Sequence, residues 1–302
     1  MTTASAPTPY PSAVPMRGEF RTGSTRFVEH MGFLEVSSFV GEGVGAALYL
    51  LGVYTNQRSI VALGVGFVAL AVVALLSHLG TRAHLGWRAL ARIRTSWVSR
   101  GSLFISVFMA LAVPALGAAY IDALAPLQKP LTVGALVFAP LVILYAGMML
   151  RSMKAVTLWR NALVPLAFIA HSLSTALVIV WAMAQAAGWD LTQVAWLRPA
   201  AIGGLLLAAG LSAVHLLSAT RTAAIKASLD RLFAGSLRAT SIGGAGVAGL
   251  AVPLAVLLAG VGGPLLAVLA ALCRLFGDYA YRLSVVKAGA YEPIVPPLTR
   301  RL

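Results

Sequence analysis

The residues of this sequence that can do chemistry are a few ionisable side chains inside apolar segments long enough to cross a bilayer. Glu35 and Glu42 are seven residues apart, so on a helix they share one face, about 10 Å apart along the axis. An acid at such a depth costs roughly 2.5 to 3.5 kcal/mol and usually lines a polar cavity or proton path. Glu42 is the deeper and stronger candidate, whereas Glu35 is shallow enough to cap the helix instead.

A second charged set repeats every four residues near the end of the chain, at Arg274, Asp278 and Arg282. On a helix this spacing gives one face with alternating positive, negative and positive charge. One interpretation is an ion ladder that fixes this helix to its neighbours, and the other is a functional relay. If the role is structural, one arginine needs an acid from another helix, and Glu42 is a candidate partner of Arg274.

Two histidines also lie inside apolar segments. Facing histidines can hold a b-type haem, since axial imidazoles are what such iron needs. His171, however, is about ten residues into its segment and His215 is close to the end of its own, so interhelical hydrogen bonds are favoured for both. The single Cys273 forms no intrachain disulfide and no cysteine-ligated cluster. We therefore expect no metal or haem in this chain.

The elements that must position these groups are long apolar segments. Of 302 residues, 59% are hydrophobic and 11% charged, with a mean hydropathy of +0.87, which does not suit a water-exposed surface. In lipid, backbone polar groups must bond within their own segment, and about 20 helical residues cross the hydrocarbon. The sequence therefore predicts an all-α integral membrane fold with eight transmembrane helices in a bundle. The predicted spans are Met31–Tyr54, Ser59–His78, Gly101–Leu124, Pro130–Leu150, Asn161–Gly188, Pro199–Ala219, Thr240–Val261 and Pro264–Val286.

The net charge of +14 lies in the short connections, so it indicates topology rather than nucleic-acid binding. Basic residues crowd the two ends of the chain and the loops after the second, fourth and sixth spans, while the other side has only Arg58, Lys129 and Arg198. The positive-inside rule then places both termini in the cytoplasm, with the protein in the inner membrane. The predicted parts are a flexible tail (1–30), the eight-helix transmembrane domain (31–286) and a C-terminal tail (287–302).

The connection between the second and third spans carries a distinctive set of residues. It contains His78-Leu79-Gly80, Trp87-Arg88-Ala89-Leu90 and Arg94-Thr95-Ser96-Trp97-Val98-Ser99-Arg100. This connection resembles the second loop of the dimethyl sulfoxide reductase anchor family, and more widely of polysulfide-reductase-type membrane subunits. Leu158-Trp159-Arg160-Asn161 before the fifth span and Tyr281-Arg282 in the last span extend the resemblance.

The resemblance implies two four-helix bundles and a subunit that carries no redox metal. Such a subunit anchors an iron–sulfur (ferredoxin-like) subunit and a molybdopterin or tungstopterin catalytic subunit. It exchanges electrons with a membrane quinone or quinol, menaquinone or ubiquinone. It is not catalytic by itself.

The resemblance also assigns roles to individual residues. His78 matches the family histidine associated with the quinol site, where an imidazole can exchange the accompanying proton; the alternative is a histidine that caps the helix end. Tyr145 matches a quinone-proximal tyrosine of polysulfide-reductase-type relatives. Relatives often have a glutamate where this chain has Gly101, so another acid must take its place. The candidates are Glu35, Glu42 and Asp278.

The basic second loop is the expected docking surface for the partner subunits. Its arginines can pair with an acidic face of the iron–sulfur subunit, or can simply be topogenic charges beside anionic lipid. They are Arg82, Arg88, Arg92, Arg94 and Arg100. Two other functions stay open: a proton-coupled transporter of small solutes that uses Glu42 and the charges of the last span, and a haem-b anchor that uses His171 or His215.

Overall fold

A computed structural model of the chain describes residue 28 and residues 32–79, 92–189, 194–218, 222–260 and 263–291. Within these ranges it is helical, apart from turns and one isolated bridge between Val156 and Tyr291. The helices are α1 (Phe33–Tyr54), α2 (Arg58–Leu79), α3 (Trp97–Ala118), α4 (Ala125–Ser152), α5 (Leu163–Ala186), α6 (Leu197–Leu217), α7 (Ala223–Phe233), α8 (Val252–Ala259) and α9 (Pro264–Ala288). A π-helical segment, π1 (Ala239–Ala251), runs directly into α8.

Eight helical segments of the described chain are long and apolar enough to cross a membrane, with π1 and α8 together forming the seventh. This confirms the predicted all-α fold class. Large apolar side chains on the outer surfaces are exposed, among them Leu70, Leu207 and Leu265. In a soluble protein these residues would be buried, whereas here lipid is their expected solvent.

The helices pack as two rings of four. In the first ring α1 packs on α2, α2 on α3, α3 on α4, and α4 on α1. In the second, α5 packs on α6, α6 on α8, the π1–α8 span on α9, and α9 on α5. Helices α1 and α4 of the first ring contact α5 of the second, and α1 also contacts α9. The fold is therefore two four-helix bundles that meet along α1, α4, α5 and α9, a junction that we call the bundle seam.

Two spans begin a full turn or more before their predicted starts, because local residues at the helix start, rather than apolarity, set where a helix begins. The third span begins at Trp97 instead of Gly101, where the Ser96 hydroxyl accepts a hydrogen bond from the Ser99 amide (3.4 Å). The fourth begins at Ala125 instead of Pro130 because proline is well tolerated in a first helical turn.

Helix α7 and the π-helical geometry of π1 were not predicted. Helix α7 lies in the basic connection before the seventh span, and the Thr222 hydroxyl caps it by accepting from the Ile225 amide. It is amphipathic and buries Ala224, Ile225 and Leu232. Such a short helix with one apolar face is suited to lie along a membrane surface.

The side of the molecule where α2, α4 and α6 end and α3, α5 and α7 begin is called the basic face here, and the other side the opposite face. On the basic face the Trp159 indole donates to the Val285 carbonyl (2.8 Å), and the Val28 amide donates to the Tyr291 hydroxyl (3.1 Å). Most of the two predicted tails lies outside the described residues, so the flexibility of the N-terminal tail stays a prediction.

Candidate functional site

Charged and hydroxyl-bearing side chains meet at the bundle seam, near the middle of the spans. In hydrocarbon, a buried polar group is tolerated only when it has partners, a cavity or a function. We call this set the seam cluster, and all of its members are buried. They are Glu42 from α1, Tyr145 from α4, His171, Ser172, Ser174 and Thr175 from α5, and Arg274, Asp278 and Arg282 from α9.

Arg282 connects three helices of the seam. Its Nε donates to Asp278 Oδ1 at 2.8 Å, four residues earlier on α9. Its Nη1 donates to the Phe39 carbonyl of α1 (3.1 Å), and its Nη2 donates to the Ser172 hydroxyl (2.7 Å) and the Phe168 carbonyl (3.3 Å) of α5. One guanidinium thus satisfies groups on α1, α5 and α9 at once, which its planar fork of donors allows.

Arg274 is bound by neutral acceptors rather than by an acid. Its Nη1 donates to the Gly249 carbonyl (3.0 Å), and its Nη2 donates to the Ser174 hydroxyl (2.8 Å) and to the ring and carbonyl of His171. The predicted pairing with Glu42 is therefore absent among the described residues. Of the ion ladder predicted for Arg274, Asp278 and Arg282, the structure contains only the ion pair between Asp278 and Arg282.

His171 is held in one tautomer by its neighbours. Its Nδ1 lies 3.0 Å from Arg274 Nη2, and because a guanidinium can only donate, this nitrogen accepts. Its Nε2 therefore carries the hydrogen and donates to the Ser212 hydroxyl at 2.9 Å. The ring stacks on Tyr281 with centroids 3.8 Å apart. Both ring nitrogens are engaged, so His171 does not fit the role of an axial haem ligand.

His215 makes a similar contact near the end of α6, where its Nε2 donates to the Leu158 carbonyl (3.0 Å). His171 thus forms the interhelical hydrogen bonds favoured from sequence, to Ser212 of α6 and Arg274 of α9, whereas His215 bonds a carbonyl in the connection between α4 and α5. Among the described residues, no three side chains of histidine, cysteine, aspartate or glutamate form a group able to hold a metal ion.

Glu42 is the exception in the cluster. It is 1% exposed, and neither carboxyl oxygen has a hydrogen-bond partner among the described residues. Arg282 lies close enough for an electrostatic interaction with it, and Tyr145 interacts with it in the same way. Burying a carboxyl group without a hydrogen bond lowers the stability of the fold, so the presence of Glu42 here indicates a functional role.

The Tyr145 ring fills the space that a side chain at position 101 would need. A side chain added at Gly101 would overlap the Tyr145 ring, so glycine at 101 is required by this packing. The Tyr145 hydroxyl is buried, and its partner is the Met149 thioether at 3.5 Å, a weak acceptor. Tyr145 and Glu42 are thus two protonatable groups near each other with little or no competition from strong acceptors.

The other predicted site residues on α1 and α2 lie towards the basic face. Glu35 is 8% exposed, and its Oε2 accepts from the Gly32 amide (2.8 Å), which is the capping geometry considered from sequence. His78 lies in the last turn of α2, and its side chain lies outside the described part of the chain.

Asp278 belongs to the seam cluster, where it also accepts from the Thr175 hydroxyl at 3.2 Å.

The arginines predicted to bind partners have different environments. Arg92 and Arg94 are exposed, and their side chains make no hydrogen bond or ion pair with other described residues. Arg100 is used within the chain: it donates to the Ile93 and Arg94 carbonyls at 2.9 and 2.6 Å and lies over the Trp97 ring. Arg82 and Arg88 lie outside the described residues.

Sequence reasoning missed the hydroxyl groups of α5. Ser172, Ser174 and Thr175 supply acceptors or donors to Arg282, Arg274 and Asp278. The available signal was three hydroxyl residues within four positions of an otherwise apolar span, immediately after His171.

Comparison with known protein families identifies a match. The model of the family described as DMSO reductase anchor subunit (DmsC) matches residues 31–237, which is more than half of the chain. The matched region begins just before α1, continues to the end of α7 and includes the connection between α2 and α3. No curated protein matches the chain.

Proposed function

This chain belongs to the DMSO reductase anchor subunit family, and from that membership we propose that it is the quinone-reactive membrane subunit of a multi-subunit oxidoreductase. It is an integral membrane protein and an anchor subunit of such a complex. Electrons pass between a partner iron–sulfur (ferredoxin-like) subunit and a membrane quinone, menaquinone or ubiquinone. The catalytic partner carries molybdopterin or tungstopterin, and the basic face is the cytoplasmic side of the inner membrane.

The observation that carries the quinone proposal is the Tyr145 hydroxyl, which is buried inside the first bundle with only a thioether acceptor and lies within electrostatic range of Glu42. A quinone carbonyl needs a hydrogen-bond donor when it binds, and it takes up a proton for each electron added. The Tyr145 hydroxyl has only a thioether partner, and Glu42 has none among the described residues. Tyr145 is therefore available to donate to a carbonyl oxygen.

The remaining predicted residues complete a route for protons at the basic end of the first bundle. His78, at the end of α2, exchanges a proton with the quinone oxygen, since imidazole changes its charge near neutral pH. Glu35 lies at the start of α1 on the same side, where its carboxylate also caps the helix. Asp278 sets the charge state of the seam through Arg282.

Replacing the proposed proton donors should slow quinone turnover. We expect His78→Ala and Tyr145→Phe each to reduce quinone-linked turnover of the intact complex at least tenfold, because a positioned acid or base typically contributes ~10²- to 10⁴-fold. The partner enzyme's activity with a soluble dye should be unchanged. Both rates are measured on the same purified complex.

Matched controls are available for both residues, one on the same helix as His78 and one at a tyrosine outside the bundle seam. Ser77→Ala removes an exposed hydroxyl that bonds its own helix, and Tyr120→Phe removes a tyrosine hydroxyl on the opposite face. Both should retain full quinone turnover. Normal turnover in His78→Ala and Tyr145→Phe would contradict the quinone site, while the anchor role would remain.

Docking of the partner is proposed to use the exposed guanidinium groups of Arg92 and Arg94. An acidic face on the iron–sulfur subunit would be attracted to them, and the effect should weaken with salt. We expect Arg92→Glu/Arg94→Glu to lower the yield of co-purified partner severalfold at low salt. Lys129→Glu, a reversal on the opposite face, should leave the yield unchanged. Equal yields in both variants would show that the two arginines do not bind the partner and serve instead as topogenic charges beside anionic lipid.

A further inference from the structure

The first bundle contains a polar cavity at the opposite face, far from the proposed docking surface. It has a volume of about 140 Å³ and lies between α1, α2, α3 and α4. Its polar lining includes Tyr49, Gln57, Arg58, Gln128 and Thr132. A water molecule takes about 30 Å³ in the liquid, so the cavity has room for several.

The polar residues of α1 form one stripe that leads from this cavity to the middle of the membrane. Glu35, Glu42 and Tyr49 follow each other at intervals of seven residues, so they share one helix face. All three are buried, at 8%, 1% and 1% exposure. The Tyr49 side chain lines the cavity and interacts with Thr132 of α4. The stripe thus runs along the seam between α1 and α4.

Glu42 lies in the middle of this stripe with no hydrogen-bond partner among the described residues. Two charged or titratable groups from neighbouring helices interact with it, Arg282 of α9 and Tyr145 of α4. A buried, unpartnered carboxyl group is stable when it holds a proton or when water reaches it. The polar cavity beside Tyr49, on the same face of α1, has room for such water.

We propose that Glu42 holds a proton and exchanges it with the opposite face through Tyr49 and the cavity, so that the first bundle contains a proton path. The exchange breaks and forms only O–H bonds: Glu42 releases a proton to water in the path and is reprotonated from it, and no electron moves. This inference goes beyond the proposed quinone reaction and does not depend on it.

The path is tested by hydrogen–deuterium exchange of the Glu42 carboxyl group, followed by infrared spectroscopy on the full chain as purified in lipid nanodiscs. A carboxylic-acid carbonyl band that disappears in Glu42→Gln identifies the group. Filling the cavity with Thr132→Leu should slow deuteration of this band at least tenfold. Val133→Leu is the matched control, because residue 133 is next to 132 but exposed at the outer surface of α4.

Gln128→Leu fills the cavity from a second position and replaces Thr132→Leu if that variant does not fold. The proposal is supported if either filling variant slows exchange while Val133→Leu does not. It is overturned if no acid band is lost in Glu42→Gln, or if both filling variants exchange as fast as the unmodified chain. Neither result requires quinone or partner subunits, so failure here is distinct from failure of the quinone site.

Discussion

Replacing Arg282 with methionine should destabilise the protein more than any other single substitution on α9. Methionine retains much of the length but removes the hydrogen bonds that Arg282 donates to Asp278, Phe39, Phe168 and Ser172. The Asp278 carboxylate would then be fully buried without its arginine. Breaking a buried pair in this way costs about 3 to 5 kcal/mol. We expect Arg282→Met to fail to accumulate in membranes, or to unfold at much lower denaturant concentration.

Two further variants separate this effect from a general loss of charge. Arg151→Met removes an exposed arginine at the end of α4 and should leave stability unchanged. Arg282→Met/Asp278→Asn removes both charges, so it should recover part of the stability lost in the single variant. Denaturation monitored by tryptophan fluorescence in detergent gives the comparison. Stability of Arg282→Met equal to that of Arg151→Met would contradict the role of Arg282 as the connection between helices.

The second large effect is expected where π1 crosses α9. A methyl group added at Gly277 would overlap the backbone of Gly249, and one added at Gly249 would meet the backbone of Gly277. Backbone atoms cannot rotate away, so Gly277→Ala must push the two helices apart. Overpacking of this kind costs typically ~1 to 3 kcal/mol, and the rigidity of the contact favours the upper end.

Gly243→Ala on the same π-helical segment is the matched control. Nothing lies within 4 Å of a methyl group at that position, and alanine is the better helix former by about 1 kcal/mol. We therefore expect Gly243→Ala to be neutral or slightly stabilising in the same unfolding assay. A Gly277→Ala variant as stable as Gly243→Ala would show that π1 and α9 do not pack as closely as described.

The fold could be predicted from sequence because lipid imposes length, apolarity and helical backbone on each span. Helix periodicity also predicted the ion pair between Asp278 and Arg282, since a spacing of four residues places both on one helix face. It failed for Arg274, whose acceptors are hydroxyl, imidazole and carbonyl groups from other elements. Those partners depend on how two bundles are arranged, which no local pattern encodes.

The candidate site, like the fold, could be predicted from sequence only in part. Glu42 could be singled out because an acid in an apolar span is rare and therefore visible. The contact between Gly101 and Tyr145 could not be found from sequence, because these residues are 44 positions apart on different helices. The π-helical turn of π1 likewise escaped notice, since its residues are equally compatible with an ordinary α-helix.

The central claim is that this chain passes electrons between a quinone and partner subunits. The most direct test purifies the chain in mild detergent with its partners and follows the partner's iron–sulfur clusters by electron paramagnetic resonance when quinol is added. The account predicts that a cysteine-rich subunit and a molybdenum or tungsten protein co-purify, and that quinol and the clusters exchange electrons. A chain that purifies alone, or clusters that do not respond to quinol or quinone, would contradict it, and solute uptake by the isolated chain would then favour a transporter.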